Sequence, residues 1–545
     1  MTDNLFVRRF FALGNRLCAI FAILLLAVSC VSGSVIDEPV HEEEPEPSDT
    51  DSADITEAVN REVIHAQMDT LYLWNDAYRN VTRNFRQSYD DYLNDVLAQM
   101  YRAGANLKDG REYNGYWYFY TYITREAAPQ SRAKSENFGL GMCSLRPARL
   151  DDTNRIFFMV EAVYPDSPAD KAGLVRGDIF GKVNGVQLTT SNYADYSYMF
   201  YDEDVAAGTY TLSMLDLSRG TITYGNDKKV TADNYLPNPV TLWRIYKIKE
   251  HNIGWIVYSG FDADYDDELQ AVFDRFKDEG VTDLIFDLRF NGGGSVESCC
   301  KTASILAGSA CKDEGGAARI FSYERYNDER MTKRRRDPSD YTTYDRRPFD
   351  VRLAERYGFE FDKIYIIATS ATASASELLV NSLRGVDKEV EIAAVENTNG
   401  KDVGMEVYSP VKSYDGYRYT LAPISFQCYN AKGESDYDDG FVPTLKPVLD
   451  YETYVPAGWG LSFDSTDRLV FTDYLADAVQ SIVIDDVLFG DIEVVRPEKS
   501  DDTRSAADTG LIRVENPAAA TRAVATAKIE SGNPFKTNMY IVKER

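Results

Sequence analysis

Histidine is scarce in this chain of 545 residues, which contains only three, at positions 41, 65 and 251. Five of the seven cysteines lie after Cys30, and none of these five belongs to a Cys-x-x-Cys pair. Zinc sites are usually built from Cys and His at short, regular spacings. The sequence therefore predicts no metal site, and nothing in it calls for a cofactor.

Positive charge is also in short supply. The chain has 59 Lys and Arg against 87 Asp and Glu, for a formal net charge of -28. Nucleic-acid-binding surfaces need a basic stripe, and a negative protein repels the phosphate backbone. Nucleic acid is therefore excluded as an expected partner.

With 44% apolar residues, a chain of this length is expected to form several hydrophobic cores rather than one.

The N-terminal apolar run, Leu17 to Val28, is too short to span a bilayer comfortably as a mature helix. It follows three arginines and precedes small residues, a pattern typical of a secretion signal over residues 1–30. The segment from Leu26 to Cys30 resembles a bacterial lipobox, which implies lipidation of Cys30 and a membrane contact through the lipid alone. The alternative is cleavage by an ordinary signal peptidase, with Cys30 incidental.

Residues 31–58 form an acidic stretch that cannot bury enough apolar surface to fold, so we expect a disordered tether there. With the lipobox, it predicts an exported protein of the cell envelope: an outer-membrane lipoprotein facing the periplasm or the cell surface. Residues 59–135 are expected to form a helical N-terminal domain, because apolar residues recur at helical spacing from Val63 to Val96. A strand is expected from Tyr113 to Tyr122.

Residues 136–241 are expected to be β-rich with short helices. The stretch from Pro165 to Gly185 contains a Ser-Pro helix start, a glycine helix end and an Asn-Gly hairpin turn. This stretch resembles a PDZ domain. The resemblance implies that backbone amides of one loop capture a free C-terminal carboxylate. The alternative is that the domain serves only as a rigid spacer or lid. That loop consists of Gly139, Leu140, Gly141 and Met142.

Residues 242–486 alternate strands and helices. Apolar strand-like runs at Ile253–Tyr258, Asp283–Arg289 and Lys363–Ala368 are separated by helical patterns, which predicts a βαβ core with a largely parallel sheet. Ligand sites in such sheets lie at the carboxyl ends of the strands. Residues 487–545 are expected to form a weakly ordered extension. Taken together, these regions predict an α/β multi-domain protein.

Two loops at predicted strand ends carry chemistry. One is the glycine turn from Asn291 to Gly294, and the other places Ser374 at the start of a helix. A serine nucleophile needs a base, and none of the histidines lies in a loop that obviously meets it. Lys401, which follows a strand at Val390–Val395, remains as the candidate, and it must be buried so that its pKa falls.

Together these motifs resemble the carboxy-terminal processing, or tail-specific, peptidases of family S41. The resemblance implies that Ser374 is the nucleophile and Lys401 the general base. It also implies an oxyanion hole made by the amides of Ala375 and a turn glycine, with Gly293 favoured and Gly292 left open. Ser376 and Thr372 are rival nucleophiles.

Many members of that family place a Gln four residues after the Lys to orient it, whereas this chain has Met405. Glu377, one helical turn after Ser374, is a candidate substitute. The predicted function is a serine endopeptidase that acts on protein or peptide substrates with a free C-terminus. The alternatives are a catalytically silent PDZ scaffold that binds peptides, and a small-ligand carrier on the same fold.

Overall fold

A computed structural model describes the chain from residue 49 to residue 445 with short gaps, followed by four short strands. The predicted leader, Cys30 and most of the acidic tether lie outside the described residues. The described ranges are 49–113, 116–127, 137–150, 153–176, 178–200, 205–216, 223–248, 251–337, 345–394, 396–408, 413–435, 437–445, 462–463, 469–470, 511–513 and 540–543.

The end of the predicted tether is helical rather than disordered. A helix begins at Asp49 and runs to Val59, across the expected boundary at residue 58. Its last turn is apolar: Val59 is 1% exposed, and Ile55 and Ala58 pack against the same cluster. That contact explains why acidic composition alone misjudged the segment. The chain divides into two compact units, Met1–Ser52 and Ala53–Arg545, and all later elements belong to the second.

The N-terminal region contains the helical residues that the periodicity predicts. Ser88 caps its longest helix by accepting a hydrogen bond from the Asp91 amide at 3.2 Å, and one face of that helix is buried from Tyr92 to Met100. The helical segments are Asn60–His65 (a π-helix), Ala66–Thr70, Asn75–Arg79 and Tyr89–Arg102.

Three strands follow the helices: β1 (Gly110–Tyr113), β2 (Tyr116–Phe119) and β3 (Tyr122–Ala127). The expected single strand from Tyr113 to Tyr122 is therefore interrupted. β1 pairs with β2, but β3 pairs with a strand much later in the chain, β20 (Tyr417–Ala422). The N-terminal helices also share an apolar cluster with residues 403–424, so this region packs as part of the α/β core.

The middle region is a seven-stranded sheet with two short helices, Pro168–Lys171 and Tyr193–Phe200. Ser167 caps the first helix, and Asn184 and Gly185 form the expected tight turn with positive φ. Strand β24 (Leu511–Arg513), from the predicted extension, pairs antiparallel with β5. The other six strands of this sheet are β5 (Met142–Leu150), β6 (Ile156–Val163), β7 (Ile179–Val183), β8 (Val186–Gln187), β9 (Thr209–Asp216) and β10 (Thr223–Thr231). Two further strands, β4 (Asn137–Gly139) and β11 (Asp233–Tyr235), pair with each other as a separate two-stranded sheet.

The predicted parallel core is confirmed. Its sheet has the order β12-β13-β14-β17-β18, in which the last four strands are parallel. The strands are β12 (Val240–Ile248), β13 (His251–Tyr258), β14 (Asp283–Asp287), β17 (Lys363–Ile367) and β18 (Glu389–Ala393). The helices around them are Asp266–Asp278, Val296–Ala307, Val351–Tyr357 and Ala375–Gly385, with 3-10 turns at Ala263–Tyr265 and Gly308–Cys311.

A second sheet, of order β16-β15-β21-β19-β25, lies beside this core. Its last strand comes from the predicted C-terminal extension and pairs parallel with β19. The elements are β15 (Ile320–Tyr326), the helix Asp328–Arg336, β16 (Arg347–Pro348), β19 (Val403–Tyr408), β21 (Ile424–Tyr429) and β25 (Tyr540–Lys543), with a small hairpin of β22 (Ser462–Phe463) and β23 (Leu469–Val470).

Within the part of the chain that the structure describes, no helix is both long and apolar enough to cross a bilayer. The same residues contain no cluster of three or more side chains suited to a metal ion. The five cysteines after Cys30 are all free thiols.

Candidate active site

Three loops meet at the carboxyl edge of the parallel sheet, as the sequence predicts. β14 leads into the glycine turn, β17 leads into the turn before Ser374, and β18 leads into the turn that ends at Lys401. Backbone contacts join them: the Ala373 amide donates to the Asn291 carbonyl at 3.3 Å, and the Asn399 amide donates to the Thr372 carbonyl at 2.9 Å. The topology therefore brings together loops that are far apart in the sequence.

Ser374 occupies a strained position at the start of the helix Ala375–Gly385. Its φ is 62° and its ψ is -114°, a conformation that L-residues rarely adopt. Such strain costs about 1–3 kcal/mol and is concentrated at functional sites. The side chain is fully buried, so a substrate can reach the hydroxyl only if the surrounding residues move.

Glu377 holds the Ser374 turn and the Lys401 turn together. One carboxylate oxygen accepts from the Ser374 amide at 3.0 Å and from the Lys401 amide at 2.8 Å. The other accepts from the Thr398 hydroxyl and the Gly400 amide, each at 2.6 Å. Burial raises the pKa of Glu377, and these four hydrogen bonds oppose the shift. Through the Gly400 and Lys401 amides it fixes the backbone from which the Lys401 side chain extends.

Lys401 meets the requirement set for a lysine base. Its side chain is 2% exposed, and burial lowers the pKa of the ammonium group to about 7, while the nearby carboxylates of Asp109 and Glu377 act in the opposite direction. A lysine with this pKa is partly neutral at physiological pH and can accept a proton. Met405, at the position where many S41 members place Gln, is buried in the apolar cluster.

The two expected oxyanion donors differ in their surroundings. The Ala375 amide belongs to the first turn of its helix, where amides have no intrahelical acceptor. The Gly293 amide donates to the side-chain oxygen of Asn291 at 2.9 Å. A β-carbon on Gly293 would lie 2.8 Å from Ser374 Cβ and 2.9 Å from the Ala375 nitrogen, so Gly293 is adjacent to the nucleophile, but its amide is engaged in this conformation.

The rival nucleophiles both bind backbone. The Ser376 hydroxyl donates to the Asn291 carbonyl at 3.0 Å, and the Thr372 hydroxyl donates to the Leu288 carbonyl at 2.8 Å. Of the histidines, His65 pairs with Tyr78, and His251 pairs with Asp283 at the amino end of the sheet, opposite the Ser374 edge. A Ser-His pair with Ser374 is therefore absent from the described residues.

Sequence reasoning missed two features of the site. The first is the N-terminal region, which contributes Tyr120 and Asp109 to the surroundings of Lys401. The second is a buried ion pair in which the Arg289 guanidinium contacts the Asp287 carboxylate at 2.5 Å, at the end of β14. Opposite charges two residues apart at the end of an apolar strand were a usable signal for that pair. No local pattern distinguishes Tyr120 among the neighbouring aromatics.

Backbone hydrogen bonds hold the predicted tail-binding loop. The Leu140 carbonyl accepts from the Ala169 amide at 2.8 Å, and the Gly141 carbonyl accepts from the Tyr164 amide at 3.1 Å. Because the N–H and C=O of one peptide group point in opposite directions, the amides of Gly141 and Met142 are directed away from these contacts. Gly141 has a φ of 78°, and a side chain there would collide with Ser167.

Two stretches of the chain match known protein families. Residues 252–444 match peptidase family S41, and residues 159–205 match the PDZ domain. A chloroplastic carboxyl-terminal-processing peptidase 1 of Arabidopsis thaliana is 23% identical over 70% of this chain and 69% of its own length. The carboxy-terminal processing protease CtpA of Bacillus subtilis is 23% identical over 69% of this chain and 68% of its own.

A crystal structure of a Bacteroides fragilis protein, assigned to the S41 proteases, has the same fold. It superposes with a TM-score of 0.57 at 19% identity, covering 82% of this chain and 100% of the other. The matched residues therefore form an S41 peptidase domain and a PDZ domain.

Proposed function

We propose that the protein is a serine endopeptidase in which neutral Lys401 activates Ser374. The Ser374 hydroxyl transfers its proton to Lys401 Nζ as its oxygen attacks the peptide carbonyl. Lys401 then gives the proton to the departing amine, which leaves an acyl-enzyme, and a water activated by the same nitrogen hydrolyses the ester. The observation that carries the proposal is the buried Lys401 with a pKa of about 7, tied through Glu377 to the Ser374 turn.

The oxyanion that forms during attack needs donors, and we assign these to the amides of Ala375 and of the glycine turn, with Gly293 nearest to Ser374. The Gly293 amide would have to leave Asn291 to take this role. Loss of one such donor typically costs about 10²–10³ in rate. This conformation is therefore a closed one: the nucleophile is covered and one donor is engaged.

We infer that the substrates are proteins or peptides with a free C-terminus, as the names of the Arabidopsis and Bacillus relatives suggest for those proteins. The loop from Gly139 to Met142 leads directly into β5, and β24 pairs only with the last residues of that strand, Ala148 to Leu150. The start of β5 is therefore suited to bind such a tail by strand addition.

The location of the enzyme is also a proposal. The lipobox-like end at Cys30 supports an exported, lipid-anchored enzyme of the cell envelope. No further membrane contact is proposed.

The test is hydrolysis of a peptide series, comparing free C-termini with amidated ones. The native chain should cleave the free-tail peptides faster, and Ser374→Ala should abolish cleavage. Ser382→Ala is the matched control, since it removes a buried hydroxyl from the same helix. Cleavage that survives Ser374→Ala overturns the assignment. Tail binding without cleavage would favour the silent scaffold instead.

A further inference from the structure

Met405 cannot orient Lys401 in the way that a side-chain amide does in many S41 members. A thioether is at most a weak hydrogen-bond acceptor, and Met405 is fully buried among apolar residues. Glu377 accepts a hydrogen bond from the backbone amide of Lys401, at the base of its side chain. The residues that position the amino group must therefore be sought elsewhere around it.

The N-terminal region provides one such contact. Lys401 Nζ lies 4.2 Å from the centroid of the Tyr120 ring, over its face. This is within the range of a cation–π interaction, which is strongest when water is excluded, and Tyr120 is only 3% exposed. The Tyr120 hydroxyl also lies 3.4 Å from the Asn399 side-chain oxygen, in the turn that carries Lys401.

Asp109 supplies a buried negative charge beside the same amino group. Burial raises the pKa of Asp109 to about 6, while the interactions with Tyr72, Thr121 and Lys401 lower it. The Tyr72 hydroxyl donates to the carboxylate at 2.6 Å, and the amide and hydroxyl of Thr121 each donate at 2.8 Å. These three donors fix the carboxylate without neutralising it.

The cluster is anchored on both sides. The Tyr120 amide donates to the Asp109 carbonyl at 3.2 Å, which joins the two residues. The Ile424 amide donates to the Thr121 hydroxyl at 3.0 Å, which ties the cluster to β21, the neighbour of β19. This network also explains the interruption between β2 and β3, because Tyr120 and Thr121 turn towards Asp109 instead of continuing the strand.

We propose that Tyr120 and Asp109 are positioning residues for Lys401, in which the ring face of Tyr120 holds the amino group and the Asp109 carboxylate sets its charge. This proposal rests on the proposed Ser374/Lys401 mechanism. The charged groups that act on Lys401 are Asp109 from the N-terminal region and Glu377 from the Ser374 helix. Both act in the same direction, so removing either one should make the ammonium easier to deprotonate.

The first test compares Tyr120→Leu with Tyr120→Phe by steady-state peptide cleavage. Tyr120→Leu should lower kcat about tenfold with KM unchanged, because it removes the ring face that positions the base. Tyr120→Phe keeps the face and should retain most of the activity. Tyr101→Leu is the matched control, since it removes a ring stacked on Trp117 in the same region. If Tyr120→Phe loses as much kcat as Tyr120→Leu, or if the control Tyr101→Leu loses as much, the role of the Tyr120 ring is overturned.

The second test does not depend on catalysis. In the full chain with ¹³C-labelled lysine, NMR should follow the titration of Lys401, whose signal is assigned by its absence in Lys401→Met. The midpoint should be about 7 in the native protein and lower in Asp109→Asn, with both proteins shown to be folded by their melting temperature. An unchanged midpoint would refute the role of Asp109. A lowered midpoint in a protein that never cleaves peptides would keep the positioning role and refute the peptidase.

Discussion

At the residue scale, the environment of Lys401 is the feature on which the mechanism depends. A lysine at the surface is protonated at neutral pH and cannot act as a base, so the protein must bury it at an energetic cost. Here the Lys401 side chain is 2% exposed, and its amino group lies over the ring of Tyr120. Sequence reasoning arrived at Lys401 because no histidine suited Ser374, and it could state the need for burial. It could not identify the burying residues, which come from the distant N-terminal region.

The burial of Lys401 has a measurable consequence for stability. The folded-state pKa is about 7, below the ordinary value of 10.5. Between these values the unfolded chain binds more protons than the folded one, so the free energy of unfolding should rise with pH across this window. Relative to Lys401→Met, the native protein should gain up to about 5 kcal/mol between pH 7 and pH 10.5.

Urea unfolding at several pH values checks this prediction, with Lys432→Met as the control that removes a surface lysine. In the native protein, Asp109 has a pKa of about 6 and titrates below this window. A difference between native protein and Lys401→Met that stays flat from pH 7 to pH 10.5 would mean that Lys401 is not buried as described.

At the scale of secondary-structure elements, the site is built from strand ends. Each parallel strand was predictable from its apolar run, and the expected carboxyl-edge site follows from the parallel order. The ends of the strands were less predictable. β14 stops at Asp287, before the expected end at Arg289, because Arg289 forms an ion pair with Asp287. The link from β3 to β20 could not be predicted, since pairing between strands so distant in sequence leaves no local pattern.

The glycine turn after β14 gives a prediction for an element. Gly293 has a φ of 115°, and an added β-carbon would crowd Ser374, Ala375 and Ala373 within 3.0 Å. Gly293→Ala should therefore lower peptide cleavage at least about 100-fold, by displacing the nucleophile and a proposed oxyanion donor. Cleavage kinetics and thermal melting together measure the effect.

Gly316→Ala is the control for backbone strain alone, because Gly316 has a φ of 83° with no atom within 4 Å of an added β-carbon. It should cost about 1 kcal/mol of stability and leave cleavage unchanged. Near-native cleavage by Gly293→Ala would show that the turn does not form part of the site.

At the scale of the whole molecule, the N-terminal region and the S41 core are joined by a shared apolar cluster. The N-terminal helices share an apolar cluster with Met405, Leu421 and Ile424, so they form part of the catalytic core rather than a separate cap. Composition and helical periodicity predicted the helices but not this sharing, because a helix's apolar face does not indicate its partner. The S41 and PDZ motifs, in contrast, were readable because each is a short stretch with fixed backbone requirements.

The closed arrangement has a consequence for activity. Ser374 is fully buried and the Gly293 amide is engaged by Asn291, so acylation requires an opening of the site. We expect a small serine-directed probe to react slowly with the resting protein, and faster when a free-tail peptide occupies the PDZ domain and favours the open state.

The most direct test of the Ser374/Lys401 pair is labelling of the full chain by a fluorophosphonate, with the adduct located by mass spectrometry. We expect an adduct on Ser374 that forms faster as the pH rises through about 7, is accelerated by free-tail peptides, and is lost in Ser374→Ala and Lys401→Met. The Ser374/Lys401 mechanism would be contradicted if no adduct formed on Ser374 even with such peptides. It would also be contradicted if the labelling rate were independent of both pH and the Lys401→Met substitution.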